Sequence, residues 1–335
     1  MPKVFVSDCE GPITKNDNAF ELAAEFIPDG GKFFSIVSKY DDVLADVTKK
    51  PGYNAGDTLK LILPFLKSHD VTNQKMKEFS GEKILIIPRA GEVLNNVRHS
   101  YNDNAFIVST SYEHYINALC NTIGFPVRNT YSTKVNIDKY GMTMDEKIEL
   151  QNITREISSM QMMKIPDTNI FSDFSDKDKD SIERLDQIFW EEIPQMSIGK
   201  ILDEVKPVGG HEKANAVKDI DRKLRTDPSQ VMYVGDSITD TKAFDLVRES
   251  GGLAVSFNGN RYAVNAADLG IMAENATPVE ELAYLFRSGG RAEVMQYVDK
   301  IDKVTVLTDE NRGSYAQESN VFRKNVRTEE IGKLG

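Results

Sequence analysis

The stretch KVFVSDCEGPIT, residues 3–14, decides the fold of this chain. An apolar strand over residues 3–7 ends at Asp8, and Glu10 follows two residues later, before a Gly11-Pro12 turn. One such carboxylate can attack phosphorus while the other protonates the leaving oxygen and then activates water. Taken alone, the fragment is more often a solvated acidic turn, so its chemistry depends on what else the chain brings to it.

A second acidic turn, VMYVGDSITD at residues 231–240, follows another apolar strand. Asp236 comes after Gly235, and Asp240 lies about one helical turn further on. Carboxylates at a strand end are suitable oxygen ligands for a hard, octahedral cation such as Mg²⁺. An acidic capping turn is the alternative, but a strand followed by this spacing and then a helix favours a functional site.

Two weaker signals complete the set. FIVSTS, residues 106–111, places the hydroxyls of Ser109 and Thr110 at a strand end before a helix, where phosphate oxygens can bind. GGHEKANAVKDI, residues 209–220, puts Lys213 in the first turn of a helix, where the helix dipole disfavours a cation. That position suggests a separate task, such as pairing the nucleophile with the phosphate, although exposed lysines and hydroxyl caps are common.

In order along the chain, these four pieces resemble the motifs of the haloacid dehalogenase (HAD) superfamily. DCEGPI resembles the family pattern D-x-D-G-T-[LV], and GDSITD resembles G-D-x-x-x-D. The resemblance implies catalytic roles for Asp8, Glu10 and Lys213, with Asp8 as phosphoryl acceptor and Glu10 as general acid and base. It implies phosphoryl binding by Ser109, Thr110 and Lys213, and Mg²⁺ binding by Asp8, Glu10, Asp236 and Asp240.

The flanking segments agree with a phosphoserine-phosphatase-like layout within that superfamily. IIPRAGEVLNNV, residues 86–97, resembles its P-G-A-x-x-x-L segment, and residues 251–271 resemble a G-x-x-x-A-x-N-G segment. Two positions depart from the common pattern, since Glu10 replaces an aspartate and Pro12 replaces a threonine. The layout is also similar to an archaeal HAD group named as subunit R of an energy-converting hydrogenase.

Strands that alternate with helices predict parallel βαβ units, with ligands at the carboxyl ends of the strands. We expect an α/β fold, a three-layer HAD (Rossmann-like) core with a helical cap and a second, mainly helical insertion. The core comprises residues 1–14, 82–140 and 206–288. The cap comprises residues 15–81, the insertion 141–205, and a C-terminal helical extension 289–335.

Composition narrows the classes of partner. The 335 residues carry a formal net charge of −11, which argues against nucleic acid and an anionic membrane surface. Two cysteines are too few for a disulfide framework, and no apolar run reaches the roughly 20 residues of a membrane helix. The N-terminus shows no signal-peptide pattern. We expect a cytoplasmic protein with no direct membrane contact.

The function predicted from these observations is Mg²⁺-dependent hydrolysis of a small phosphorylated metabolite through an aspartyl-phosphate on Asp8. The alternative is a weak or inactive HAD-fold subunit that acts as scaffold or regulator in a larger complex through a protein partner. Pro12, Glu10 and the unusual insertion favour that alternative. Retention of Asp8, Lys213, Asp236 and Asp240 argues against it, because a scaffold needs none of them.

Overall fold

A sheet of seven strands forms the centre of the protein in a computed structural model that describes residues 1–327. The strands are β1 (Val4–Ser7), β2 (Ala105–Tyr112), β3 (Thr130–Thr133), β4 (Val231–Gly235), β5 (Leu253–Phe257), β6 (Leu269–Ile271) and β7 (Val304–Val306). Their order is β3-β2-β1-β4-β5-β6-β7, and every neighbouring pair is parallel except β6 and β7. The strand order reverses beside β1, which is where such sheets bind ligands.

Helices surround the sheet and form a separate layer above it. They are α1 (Asn18–Phe26), α2 (Gly30–Asp42), α3 (Thr58–Leu61), α4 (Leu63–Ser68), α5 (Asn73–Glu82), α6 (Ala90–Ser100), α7 (Glu113–Ile123), α8 (Met144–Ser159), α9 (Asp176–Gln187), α10 (Ile193–Gln195), α11 (Ile201–Glu204), α12 (His211–Leu224), α13 (Thr241–Glu249), α14 (Arg261–Ala266), α15 (Thr277–Tyr297) and α16 (Arg312–Arg327). Among these described residues, no helix has both the length and the apolar character to span a membrane.

Both faces of the sheet are buried, as the apolar runs of its strands require. Side chains alternate along β1, so Phe5 packs into one core with α6, α7 and α15. Val4 and Val6 pack into the other core, with α12, α13, α14 and α16. The result is the α/β core of three layers predicted from the sequence, with helices on each face of a mainly parallel sheet.

The cap and the insertion share one hydrophobic core, although some sixty residues of the α/β core separate them in sequence. Phe33 and Phe65 from the cap pack in it with Phe189 from the insertion. Tyr40 of α2 joins the two segments by hydrogen bonds, since its hydroxyl donates to Asp186 and accepts from the Trp190 indole at 2.8 Å. The two helical segments therefore share one core and form one composite domain, whereas the sequence suggested a cap and a separate insertion.

The C-terminal extension was expected to be helical, but it also contains a strand. Strand β7 adds an antiparallel edge to the sheet, and α15 crosses the predicted boundary at residue 288 with a kink at Gly290. Short length hides β7 in the sequence, because three residues give no periodicity. Helix α16 then returns to the carboxyl edge of the sheet. Residues 328–335 of the predicted extension lie outside the described residues.

Candidate active site

Strand register places the first carboxylate beside the second acidic turn. Ser7 of β1 pairs with Ile107 of β2 and with Val234 of β4, and Asp8 N donates to Val234 O at 2.8 Å. Asp8, Ser109 and Asp236 therefore leave the same edge of the sheet within one residue of each other. Asp8 and Asp236 are 4% and 2% exposed, so neither belongs to a solvated turn.

Lys213 joins the two acidic turns through its ammonium group. Its Nζ lies 2.7 Å from Asp8 Oδ2 and 2.7 Å from Asp240 Oδ1, and its side chain is fully buried. Burial alone lowers the pKa of Lys213. The negative charges of Asp240 and Asp8 raise that pKa by more than burial lowers it, so the net pKa is above the usual value. Lys213 is therefore a charged group fixed against the carboxylate predicted to attack phosphorus.

Asp240 is held on both of its carboxylate oxygens. Oδ1 accepts from Lys213 and from the Tyr233 hydroxyl at 3.0 Å. Oδ2 accepts from the backbone N–H groups of Asp236 at 3.0 Å and Ser237 at 3.1 Å. The Ser237 hydroxyl adds a longer contact to Oδ2 at 3.5 Å, so five donors surround Asp240 and it is best placed to orient Lys213. The predicted metal role of Asp240 stays a prediction.

Asp236 meets two arginines from the last helix. Arg323 and Arg327 of α16 both donate to Asp236 Oδ2, the latter at 3.0 Å, and both guanidinium groups are almost completely buried. Gly11 lies against the same carboxylate, since a Cβ at Gly11 would stand 2.2 Å from Asp236 Oδ2. The site thus contains cations that no motif in the sequence had indicated.

Glu10 lies at the entrance to the cap. Its Oε1 accepts from the backbone N–H of Asn18, the first residue of α1, at 2.7 Å. Burial raises the pKa of Glu10 well above its usual range, and Asp17 raises the pKa further, although the Asn18 hydrogen bond lowers it. A carboxyl group whose pKa is raised in this way is suited to donate a proton to a leaving group.

The two predicted hydroxyl ligands have different surroundings. Ser109 Oγ donates to Ser111 Oγ at 3.1 Å and accepts from Ser111 N, also at 3.1 Å. Thr110 donates to Val208 O at 3.1 Å and lines a cavity that also contains Asp8, Glu10 and Asp236. The phosphoryl-binding roles of both residues stay predictions.

The carboxylates fit a divalent cation. Asp8, Asp236 and Asp240 each offer an oxygen, and these three oxygens lie within 4.8 Å of one another. Within residues 1–327, no hydrogen bond reaches Asp236 Oδ1, so that oxygen is left for a ligand. Three carboxylates that meet at one point supply the oxygen ligands that Mg²⁺ prefers.

A loop of the cap closes over this cavity, whose volume is about 110 Å³. Asp41 of α2 holds the loop by accepting from Tyr53, from Gly56 N at 2.9 Å and from Thr58 N at 3.1 Å. Gly56 has φ +93° and packs so closely that an added Cβ would lie 2.9 Å from Thr110. Only glycine fits both the backbone angle and the contact.

A larger cleft of about 710 Å³ lies on the other side of that loop, between the cap and the core. Ile238 lines both spaces. The wall of the cleft contains more basic than acidic side chains, with Lys49, Lys50, Lys242 and Arg248 against Asp46 and Asp245, and it includes the rings of Tyr53 and Tyr262. The cleft suits an anionic molecule whose reacting group reaches inward past Ile238.

Sequence reasoning missed Arg323, Arg327 and Tyr233. Tyr233 points into the core from mid-strand, so nothing in its sequence neighbourhood reveals a polar partner. Ser319, Arg323 and Arg327 recur at four-residue steps on one face of α16. Arginines at that spacing, following a small residue on the same face, were the available signal of a buried cationic face.

No family model matches the chain. A curated phosphoserine phosphatase from Archaeoglobus fulgidus is 33% identical over 107 residues, 31% of this chain and 29% of that enzyme. The matched part therefore spans less than a third of the curated relative.

Solved structures give a longer match. A gene product from Archaeoglobus fulgidus superposes with a TM-score of 0.85 and 27% identity, over 100% of this chain and 99% of its own. The chain therefore shares its α/β fold with that protein along its whole length. A substrate-bound phosphoserine phosphatase is 14% identical with a TM-score of 0.49, over 84% of this chain and 98% of its own.

Proposed function

We propose that this protein hydrolyses a small phosphomonoester through an aspartyl-phosphate on Asp8, with Mg²⁺ bound beside it. The single observation that carries the proposal is the buried line Asp8–Lys213–Asp240, with both contacts at 2.7 Å. A lysine with no access to water, fixed by two carboxylates, has little value as a structural feature, because burying such charges costs more than a hydrophobic substitute. It has clear value for a charged phosphoryl group.

In this proposal each group has one task. Asp8 attacks phosphorus, and the leaving oxygen departs as Glu10 gives it a proton. Lys213 neutralises charge on the phosphoryl oxygens, and Ser109 with Thr110 binds those oxygens. Glu10, now a carboxylate, takes a proton from water as that water attacks the phosphorus of the aspartyl-phosphate, which releases phosphate and restores Asp8.

Asp8 and Asp236 would hold the Mg²⁺, with the backbone carbonyl of Glu10 and with Asp240 as the further predicted ligand. The cation would supply charge neutralisation for the phosphoryl oxygens. The aligned relative of stated activity, a phosphoserine phosphatase, supports a phosphatase of this general class. The likeness to the hydrogenase-subunit group stays a prediction.

The cleft beyond the cap loop indicates the kind of substrate. Its lysines and aromatic rings suit a leaving group that carries negative charge of its own, in addition to the phosphoryl group. A volume of about 710 Å³ admits a metabolite rather than a folded protein. We therefore favour small phosphorylated acids.

A panel of metabolite phosphates, assayed with Mg²⁺ and with EDTA, tests this function. We expect phosphate release from at least one small acidic phosphomonoester, lost in EDTA and lost in Asp8→Asn. The Asp8→Asn protein should keep its circular dichroism spectrum, because the amide preserves the shape of the side chain. Turnover that survives in Asp8→Asn would refute the assignment of the nucleophile.

A further inference from the structure

Helix α16 buries a face that ends in two guanidinium groups. Ala316, Ser319, Arg323 and Arg327 lie along that face, and each is at most 8% exposed. A helix of an ordinary globular protein buries apolar side chains on its inner face. Here the inner face becomes cationic where it reaches the active site, so this part of the helix is matched to acidic groups rather than to the core.

The helix does not depend on these arginines for its attachment. Arg312, at its first turn, donates to the carbonyl oxygens of Val264 at 2.5 Å and Ala267 at 3.0 Å, at the end of α14. Ser319 donates to Gly259 O at 2.6 Å. Anchors at the start and middle of α16 thus fix where Arg323 and Arg327 reach the sheet edge.

The two arginines carry two positive charges, but they directly contact only one carboxylate. Both donate to one oxygen, Asp236 Oδ2, and Arg323 also reaches Asp236 O at 3.2 Å. The Nε of Arg323 is buried without a partner among residues 1–327. Unpaired buried charge is costly, so the remaining positive charge must be balanced by the neighbouring acids of the site.

Arg327 also touches the connection between the core and the cap. It donates through Nε to Lys15 O at 3.1 Å and through Nη2 to Asn16 O. These carbonyls belong to the segment that leaves the first acidic turn and enters α1. One side chain therefore joins Asp236, the cap connection and the last helix.

We propose that Arg323 and Arg327 are positioning residues that set the affinity of the active site for its divalent cation. They hold Asp236 Oδ2, which directs Oδ1 toward the cation, and their positive charges oppose cation binding. The balance of these effects lies on the side of opposition, because like charges in a buried site repel strongly. The inference rests on the metal site of the proposed function, and it assigns a role to α16 that no motif implies.

Direct binding of Mn²⁺ and Mg²⁺ to the full chain, measured by isothermal titration calorimetry without substrate, tests the proposal. Arg323→Gln and Arg327→Gln each remove one charge and keep a hydrogen-bond donor. We expect each to tighten cation binding by about tenfold or more, as loss of one nearby like charge predicts. Arg327→Lys keeps the charge and should stay within about threefold of the wild-type Kd, by the same reasoning.

Lys324→Gln is the matched control, because it removes a positive charge from the same turn of α16 and leaves both the Asp236 contacts and the helix anchors in place. It should leave the Kd for Mn²⁺ within about threefold of the wild-type value, whereas tightening as large as in the arginine variants would assign the effect to net charge alone and overturn the proposal. Unchanged or weaker binding in both glutamine variants would overturn it as well. If one glutamine variant fails to fold, the other and Arg327→Lys still decide the sign.

Asp236→Asn separates this inference from the proposed function. It should abolish cation binding in the wild-type background and in Arg327→Gln. Binding that persists in Asp236→Asn would place the cation elsewhere and refute both proposals. Tighter binding in the glutamine variants without phosphatase activity in any protein would support the role of the arginines and reject the proposed reaction.

Discussion

The hydroxyl of Tyr233 donates a 3.0 Å hydrogen bond to Asp240 Oδ1, the oxygen that also receives the Lys213 ammonium. Tyr233 is fully buried in β4, so the bond is made from inside the core. It completes a continuous polar line that runs from the sheet interior to Asp8. A buried tyrosine in the strand that leads into the second acidic turn thus supports the geometry of Lys213.

Tyr233→Phe removes that bond and nothing else. We expect the free energy of unfolding to fall by about 1–3 kcal/mol, the usual contribution of a hydrogen bond to a charged group. Activity should fall less than tenfold, since Lys213 and two backbone donors still hold Asp240. Urea titration and steady-state kinetics measure the two effects. Tyr131→Phe removes a comparable hydrogen bond, to Asp219 at 2.7 Å and away from the cavity, so it should lower stability without changing activity.

Glu10→Gln tests the general acid and base. Glutamine keeps the size of the side chain but cannot transfer a proton, so formation and hydrolysis of the aspartyl-phosphate should both slow by about 10²–10⁴-fold. Rapid-quench trapping of labelled phosphoenzyme follows both steps separately. Glu113→Gln, at a surface pair with Lys134, is the control. Equal rates in Glu10→Gln and wild type would remove Glu10 from the mechanism.

Gly56→Ala tests the closure of the cap loop over the cavity. Its Cβ would meet Thr110 at 2.9 Å and Thr239 at 3.1 Å, so the loop must move outward. We expect kcat/KM to fall by about tenfold or more, because misplaced cap contacts weaken positioning of the substrate. Gly52→Ala is closely matched, with φ +78° and no atom within 4 Å of the added Cβ. If both variants lose activity equally, strain in the backbone is the cause and the contact with Thr110 is not.

Asp221→Asn should change the pH dependence of stability. Both oxygens of Asp221 are buried and have no partner among the described residues, and burial raises its pKa to about 6. The folded state then holds a proton that the unfolded state releases, so stability falls as pH rises from about 4 to about 6. Asp221→Asn should lack this decline. The difference in free energy of unfolding between the variant and the wild type should therefore shift in favour of the variant by about 1–3 kcal/mol from pH 4 to pH 7. Urea unfolding at several pH values measures it, and parallel profiles for the two proteins would contradict the prediction.

Sequence alone predicted the core, because its signals are local. Strand ends, turn glycines and helix starts lie within a few residues of each other. Lys213, for example, was predicted in the first turn of a helix after two glycines, and it lies in the first turn of α12. Such short-range patterns need no knowledge of the tertiary fold.

The missed arginines and the joint core of the upper layer are long-range features. Asp236 and Arg327 are 91 positions apart, and their contact depends on where α15 kinks at Gly290 and how β7 turns the chain back. The joint core of the cap and the insertion depends equally on tertiary packing, since each segment by itself shows only a helical pattern. Local periodicity gives the helices, but it does not state which helices bury one another.

The single core shared by the cap and the insertion also restricts how the upper layer can move. This layer is joined to the sheet by four chain crossings, near residues 15, 83, 141 and 206, and not by the two that a lone inserted cap would have. A rigid body attached at separate points can rock about the line through its attachments but cannot swivel freely. Opening of the site would therefore follow one defined arc. A deletion in any one of the four connections would tilt the whole upper layer rather than a single helix.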